Sequence, residues 1–130
     1  MNNFSSTITF LQTDNLEKTS EFYVNLLKCK LVVDQGQCRI FETSKGSYLG
    51  FCSHEFLDKD KNTVCLTFVC DSTKEVDQWF ENLKAKNVKI KNPPTENKKF
   101  KIYNFFAEDP NGITVEIQYF LHPFPPQRMS

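Results

Sequence analysis

The stretch TITFLQTDNLE (residues 7–17) is answered further along the chain by CLTFVCDSTKE (residues 65–75). Thr9 falls on Thr67, Phe10 on Phe68, Asp14 on Ser72 and Glu17 on Glu75, all 58 positions apart (68 − 10). The spacing then shortens to 57 (79 − 22), where Phe22, Tyr23 and Leu26 meet Trp79, Phe80 and Leu83. A solenoid needs about three copies of its unit to bury a core. Two copies therefore point to two equivalent half-domains.

Working outward from the repeat, each half shows the same order of elements. Residues 5–13 alternate and are rich in Thr, Ile and Phe, a strand pattern. Asp14 with Glu17 makes a variant capping box, and Ser72 with Glu75 the standard one. Each opens an amphipathic helix, with apolar positions Leu16, Tyr23, Leu26 and Leu27 in the first and Val76, Trp79, Phe80 and Leu83 in the second. Strands are predicted at residues 30–34, 37–43 and 47–52, then at 88–91, 99–107 and 113–120. Turns at Gln35-Gly36 and at residues 44–46, a Pro93-Pro94 loop and the turn DPNG (residues 109–112) separate them. The repeat unit is βαβββ.

Composition bounds what such a chain does. With 130 residues, 39% of them hydrophobic, the chain is long enough for one domain with a real core. Sixteen basic and sixteen acidic residues cancel and are mostly scattered, which argues against nucleic acid and anionic membranes as partners. No apolar run approaches a membrane span, and the first residues lack the basic and apolar regions of a signal peptide, so a cytoplasmic location is expected. The five cysteines contain no CxxC pair, and in that compartment all five are expected to be reduced.

Two βαβββ units, the helix start NLEKTSEFY (residues 15–23) with Leu26 and Leu27, and the phrase EDPNGITVEI (residues 108–117) resemble the vicinal oxygen chelate superfamily. This is the glyoxalase, bleomycin-resistance and extradiol-dioxygenase fold, and the resemblance covers residues 5–121. It implies an α+β fold in which two tandem βαβββ units, about 5–53 and 62–121, form a cupped eight-stranded mixed sheet around a small-molecule cavity. It also implies a single domain over residues 1–130, often as a homodimer. The Pro-rich tail at 122–130 is expected to run extended, clasping a second subunit or lying on its own chain.

Strand alternation then sorts side chains into faces. Val64, Leu66 and Phe68 are expected to back the second helix, leaving Cys65 and Thr67 toward the cup; the repeat carries this to Ile8 and Phe10 against Thr7, Thr9 and Leu11. In the last strand Ile113, Val115 and Ile117 pack, while Thr114, Glu116 and Gln118 face the cavity. Arg39, Phe41, Tyr103 and Phe105 are also directed inward, and Tyr48, Gly50 and Cys52 share one face of their strand. The candidate ligand-binding set is therefore Thr7, Thr9, Arg39, Cys65, Thr67, Tyr103, Phe105, Glu116 and Gln118, with Glu116 the candidate catalytic group.

Metal-dependent members of the superfamily place His, Glu or Gln on the first and last strands of each unit. Here those positions fall on Thr7 or Ile8, on Gly50 or Phe51, on Cys65 and on Glu116, so the ligand set is incomplete and no metal or other cofactor is expected. Glu116 also reads as a carboxylate paired with Arg39, Cys65 as a small apolar filler, and His54 and His122 as loop histidines. Three functions stay open: a metal-free binding protein like the drug-sequestering members, a metal-dependent glyoxalase- or dioxygenase-type enzyme, and a metal-free lyase or isomerase. The last would use Glu116 as base and Arg39 to stabilise an enolate.

Overall fold

The computed structural model of the chain describes residues 6–53 and 64–124. The chain divides into two compact units, Met1–Thr63 and Val64–Ser130. No helix among the described residues is long and apolar enough to cross a membrane.

Unit 1 runs β1 (Thr7–Gln12), α1 (Leu16–Ser20), a π-helical turn over Glu21–Leu26, β2 (Lys30–Asp34), β3 (Cys38–Ser44) and β4 (Ser47–Cys52). Its sheet has the order β1-β4-β3-β2, with β1 parallel to β4 and the other pairs antiparallel. Tyr23 from the π turn packs onto this sheet against Phe41 and Phe51, and all three rings are fully buried. Arg39 lies on the same face as Phe41. Its guanidinium donates to Ser20 Oγ at 2.7 Å and to Glu17 Oε1 at 2.5 Å, tying β3 to α1.

Unit 2 repeats the plan with β5 (Cys65–Val69), α2 (Thr73–Ala85), β6 (Lys89–Ile90), β7 (Thr95–Asn97), β8 (Ile102–Glu108) and β9 (Thr114–Phe120). The order is β5-β9-β8-β6, again with the first and last strands parallel, and β7 also pairs with β8. The two sheets thus hold nine strands rather than the expected eight. Proline has no N–H to give a ladder, so Pro93-Pro94 splits what would be one strand along β8. Lys89 and Ile90 pair before the split, and Thr95–Asn97 pair after it.

The structure corrects the repeat itself. Asn15, not Asp14, caps α1, its side chain accepting from Lys18 N at 2.9 Å, and it corresponds to the Ser72 cap of α2 at a spacing of 57 (72 − 15). Thr13 N donates to Cys52 O and Cys70 N to Gln118 O, the same closing bond at the same spacing (70 − 13). The apparent 58 in the first strand is a coincidence of the Thr-x-Phe composition. Its consequence is a reversed face. The register sets Thr7, Thr9 and Leu11 beside Ser47, Leu49 and Phe51 on the helix-bearing face, while Phe10 lies over Gly50 on the other.

The DPNG turn is built as the sequence suggests. Asp109, 5% exposed, accepts on Oδ1 from Asn111 N at 2.7 Å and Ile113 N at 2.8 Å, and Gly112 takes a positive φ of 78°. Replacing a buried acceptor leaves its donors unsatisfied, at about 1–3 kcal/mol. Asp109→Ala is therefore expected to lower unfolding free energy by that amount in urea titrations, and Asp109→Asn, which keeps an acceptor, by less; equal losses would contradict the bond's role.

The expectation of five reduced cysteines is also corrected. Cys38 and Cys52 face each other across β3 and β4 with Cα atoms 4.1 Å apart and are joined as a disulfide. Cys29, Cys65 and Cys70 are free.

Candidate functional site

The site grows from the alternation of β9, the strand between β5 and β8. Val115 and Ile117 are buried on the α2 side, which leaves Glu116, Gln118 and Phe120 on the opposite face. On β8 the antiparallel register pairs Phe106 with Glu116 and Asn104 with Gln118, so Ile102, Asn104 and Phe106 share that face. Together with Asn92 and Thr95 from the Pro93-Pro94 bulge and Phe100 at the rim, they line an open cavity of about 880 Å³ within unit 2.

Glu116 sits at its floor, 9% exposed. Its Oε1 accepts from Thr67 Oγ1 and its Oε2 from Asn104 Nδ2, both at 2.7 Å. Both donors are neutral. Among the described residues no Lys, Arg or His nitrogen comes within 4.0 Å of this carboxylate. Lys91 is held on Thr114 Oγ1 at 2.9 Å instead. Gln118, 6% exposed, makes no side-chain hydrogen bond among the described residues.

The sequence-derived candidates divide. Thr67, Glu116 and Gln118 come together, and Cys65 stands beside them with Sγ 4.0 Å from Thr67 Oγ1. Burial raises the Cys65 thiol above its ordinary range, with Thr67 opposing and Glu116 adding to the shift, which disfavours the thiolate a nucleophile needs. Tyr103 and Phe105 point the other way. The Tyr103 hydroxyl donates to Asp77 of α2 at 2.6 Å, and Phe105 meets Phe80 edge-on at 5.5 Å. Arg39 likewise faces α1 and Phe41 the π-helical turn, and the expected Arg39–Glu116 pair is replaced by Glu17 for the one and by Thr67 and Asn104 for the other. Thr7 and Thr9 lie on the helix-bearing face of unit 1 for the register reason given above. His54 lies outside the described residues, as do residues 125–130 of the tail.

Sequence reading missed Asn104, Phe106, Asn92 and Phe120. Phe120 is also where the described part of the tail returns, with Phe124 stacked on it at 4.3 Å and His122 at 5.1 Å. Three free residues able to hold a metal ion do not cluster anywhere among the described residues.

The family model that matches the chain, over residues 6–117, is described as the Glyoxalase/Bleomycin resistance protein/Dioxygenase superfamily. Among solved structures, a glyoxalase/bleomycin resistance protein/dioxygenase from Nocardioides is similar at 19% identity and a TM-score of 0.76, over 100% of this chain and 92% of that one. A lactoylglutathione lyase from Agrobacterium tumefaciens is similar at 20% identity and 0.72, over 86% and 90%. A glyoxalase/bleomycin resistance protein/dioxygenase from Alicyclobacillus acidocaldarius follows at 17% and 0.73, over 94% and 96%. At these identities the likeness is one of fold. No match is found among curated proteins.

Proposed function

The chain belongs to the glyoxalase/bleomycin resistance protein/dioxygenase superfamily, and on that premise we propose that it binds a small organic molecule, without a metal ion, in the cavity over β8 and β9. The observation that carries the reading is the make-up of that cavity. Its exposed lining is largely apolar, with the rings of Phe100, Phe106 and Phe120, and among its polar side chains Asn104, Glu116 and Gln118 come from the strands β8 and β9. Small-molecule sites are ordinarily built this way, mostly apolar with a few placed hydrogen-bonding groups.

The donor set argues against the metal-dependent reading. With the repeat at 57, the first- and last-strand positions that supply metal ligands in the superfamily are Ile8, Gly50, Cys65 and Glu116. One carboxylate, one thiol and two residues without donor atoms do not fit Mg, Mn, Ni or Fe, and they fall short of the three protein ligands of a catalytic zinc. The lyase or isomerase reading loses its cation, since Arg39 is engaged by Glu17 and Ser20. Sequestration by a cytoplasmic homodimer completes the proposal, and both of those terms rest on the sequence and the family rather than on the geometry.

Protein purified without chelator or tag is expected to carry no stoichiometric metal, and Zn, Ni, Mn and Fe(II) are expected to leave its Tm unchanged. An organic ligand present at 100 times its Kd adds about 2.7 kcal/mol, readily seen in a melt. Stoichiometric metal together with a Tm rise of that size on reconstitution would replace this reading with a metal-dependent enzyme.

A further inference from the structure

Resting on the binding reading above, the geometry points to the class of ligand: an organic cation, a protonated amine or amidine carried on a flat apolar body, with its nitrogen on Glu116. A carboxylate offers about four acceptor sites, and Thr67 and Asn104 occupy one on each oxygen. Buried charges are as a rule paired, because an isolated one is costly to remove from water. Glu116 is nine-tenths buried and has no cation within ion-pairing distance among the described residues, so no described side chain supplies its counter-charge. The cavity's charged liners are Glu96, Lys98 and Glu116, an excess of one negative charge.

The neighbours of Glu116 suit the same class. Phe106 is its direct cross-strand partner, and Phe120 lies four residues along β9 on the same face. Aromatic faces attract cations through the ring quadrupole and accept flat apolar groups by stacking. Gln118, nearly buried and with no side-chain partner among the described residues, offers a carbonyl oxygen to a second N–H of the ligand. Asn104 commits its amide nitrogen to Glu116 and so keeps an acceptor oxygen free of that bond. An anionic ligand would meet Glu116 with like charge.

Three probes of one shape decide the matter: phenethylamine, 2-phenylethanol and phenylacetate, titrated at pH 7 while the side-chain amide NMR signals of Asn104 and Gln118 are followed. The amine is expected to bind about tenfold or more tighter than the alcohol, the size of a charge-assisted hydrogen bond, and the acid weakest. Glu116→Gln is expected to bring amine and alcohol within about threefold of each other. In the unaltered protein, added salt should weaken the amine and not the alcohol, a readout that does not depend on the variant folding. If the alcohol or the acid binds as well as the amine, the cation class is wrong and the cavity reading stands. If none of the three moves those signals at millimolar concentration, both fall.

Discussion

Phe51→Ala is expected to cost the protein about 3–5 kcal/mol of unfolding free energy, the range for deleting a buried aromatic ring from a core that cannot collapse around the gap. Phe51 sits on β4, flanked by Leu11 on β1 and Arg39 on β3, and is fully buried. Tyr23 lies 5.0 Å from its ring and Phe41 6.2 Å away edge-on, so one truncation withdraws the shared neighbour of both. Tyr23 is held in turn by Phe22 at 5.1 Å and cannot swing into the space without giving up that contact. The strand is central in its sheet, which denies the backbone the freedom to close in. Urea denaturation should show the midpoint falling at constant slope. Phe10→Ala makes the comparison, since that ring is 41% exposed on the opposite face and should cost under about 1.5 kcal/mol. Similar losses for the two variants, or under about 1 kcal/mol for Phe51→Ala, would overturn this account of the core.

Phe10 and Phe51 also show which part of the fold was legible. Element order, helix caps of the second unit and the DPNG hairpin follow from short-range chemistry, and the structure has them. Side-chain facing is a harder quantity, because one residue of slip reverses a strand. For β8 the information was present: pairing Glu108 with Thr114 across the DPNG turn sets Phe106 opposite Glu116 and Asn104 opposite Gln118. Assigning Tyr103 and Phe105 inward ignored that count. For β3 the same count fails, because the pairing shifts between Glu42 and Ser44 and moves every residue beyond it by one. Arg39 could not have been placed from the turn. In β1 the matching Thr-x-Phe phrases and the reading of Asp14 as cap agreed on 58, whereas the residues that do cap, Asn15 and Ser72, and the closing hydrogen bonds report the three-dimensional equivalence at 57. The extra strand β7 escaped because Pro93-Pro94 reads locally as the end of pairing, whereas β8 is long enough to take up a partner again beyond it.

Reduction of the Cys38–Cys52 disulfide is expected to destabilise the protein by about 3 kcal/mol, the value the chain-entropy account gives for a loop of about 15 residues. The bond closes a loop of sequence separation 14, the β3–β4 hairpin, and it joins directly opposed residues of that ladder. Sequence could not reveal it, since the pairing depends on the same shifted register that hid the direction of Arg39. For a protein of this size the loss corresponds to a fall in Tm of the order of 10 °C, measured with and without a phosphine reductant. A Cys38→Ser, Cys52→Ser double variant should melt at the lower temperature and ignore the reductant. Thiol counting is independent of both melts. Unfolded without reductant, the protein should titrate as three thiols, Cys29, Cys65 and Cys70, and after reduction as five. In the folded state Cys65 alone should react, because it is exposed, whereas Cys29 and Cys70 are buried and burial pushes their thiols up to about 11. Five thiols in unreduced protein isolated from a cytosolic host would mean that the hairpin is held by its ladder alone, as glutathione normally ensures in that compartment. Three would mean that the pair oxidises against that pool, and the hairpin's stability would then follow the redox state of its surroundings.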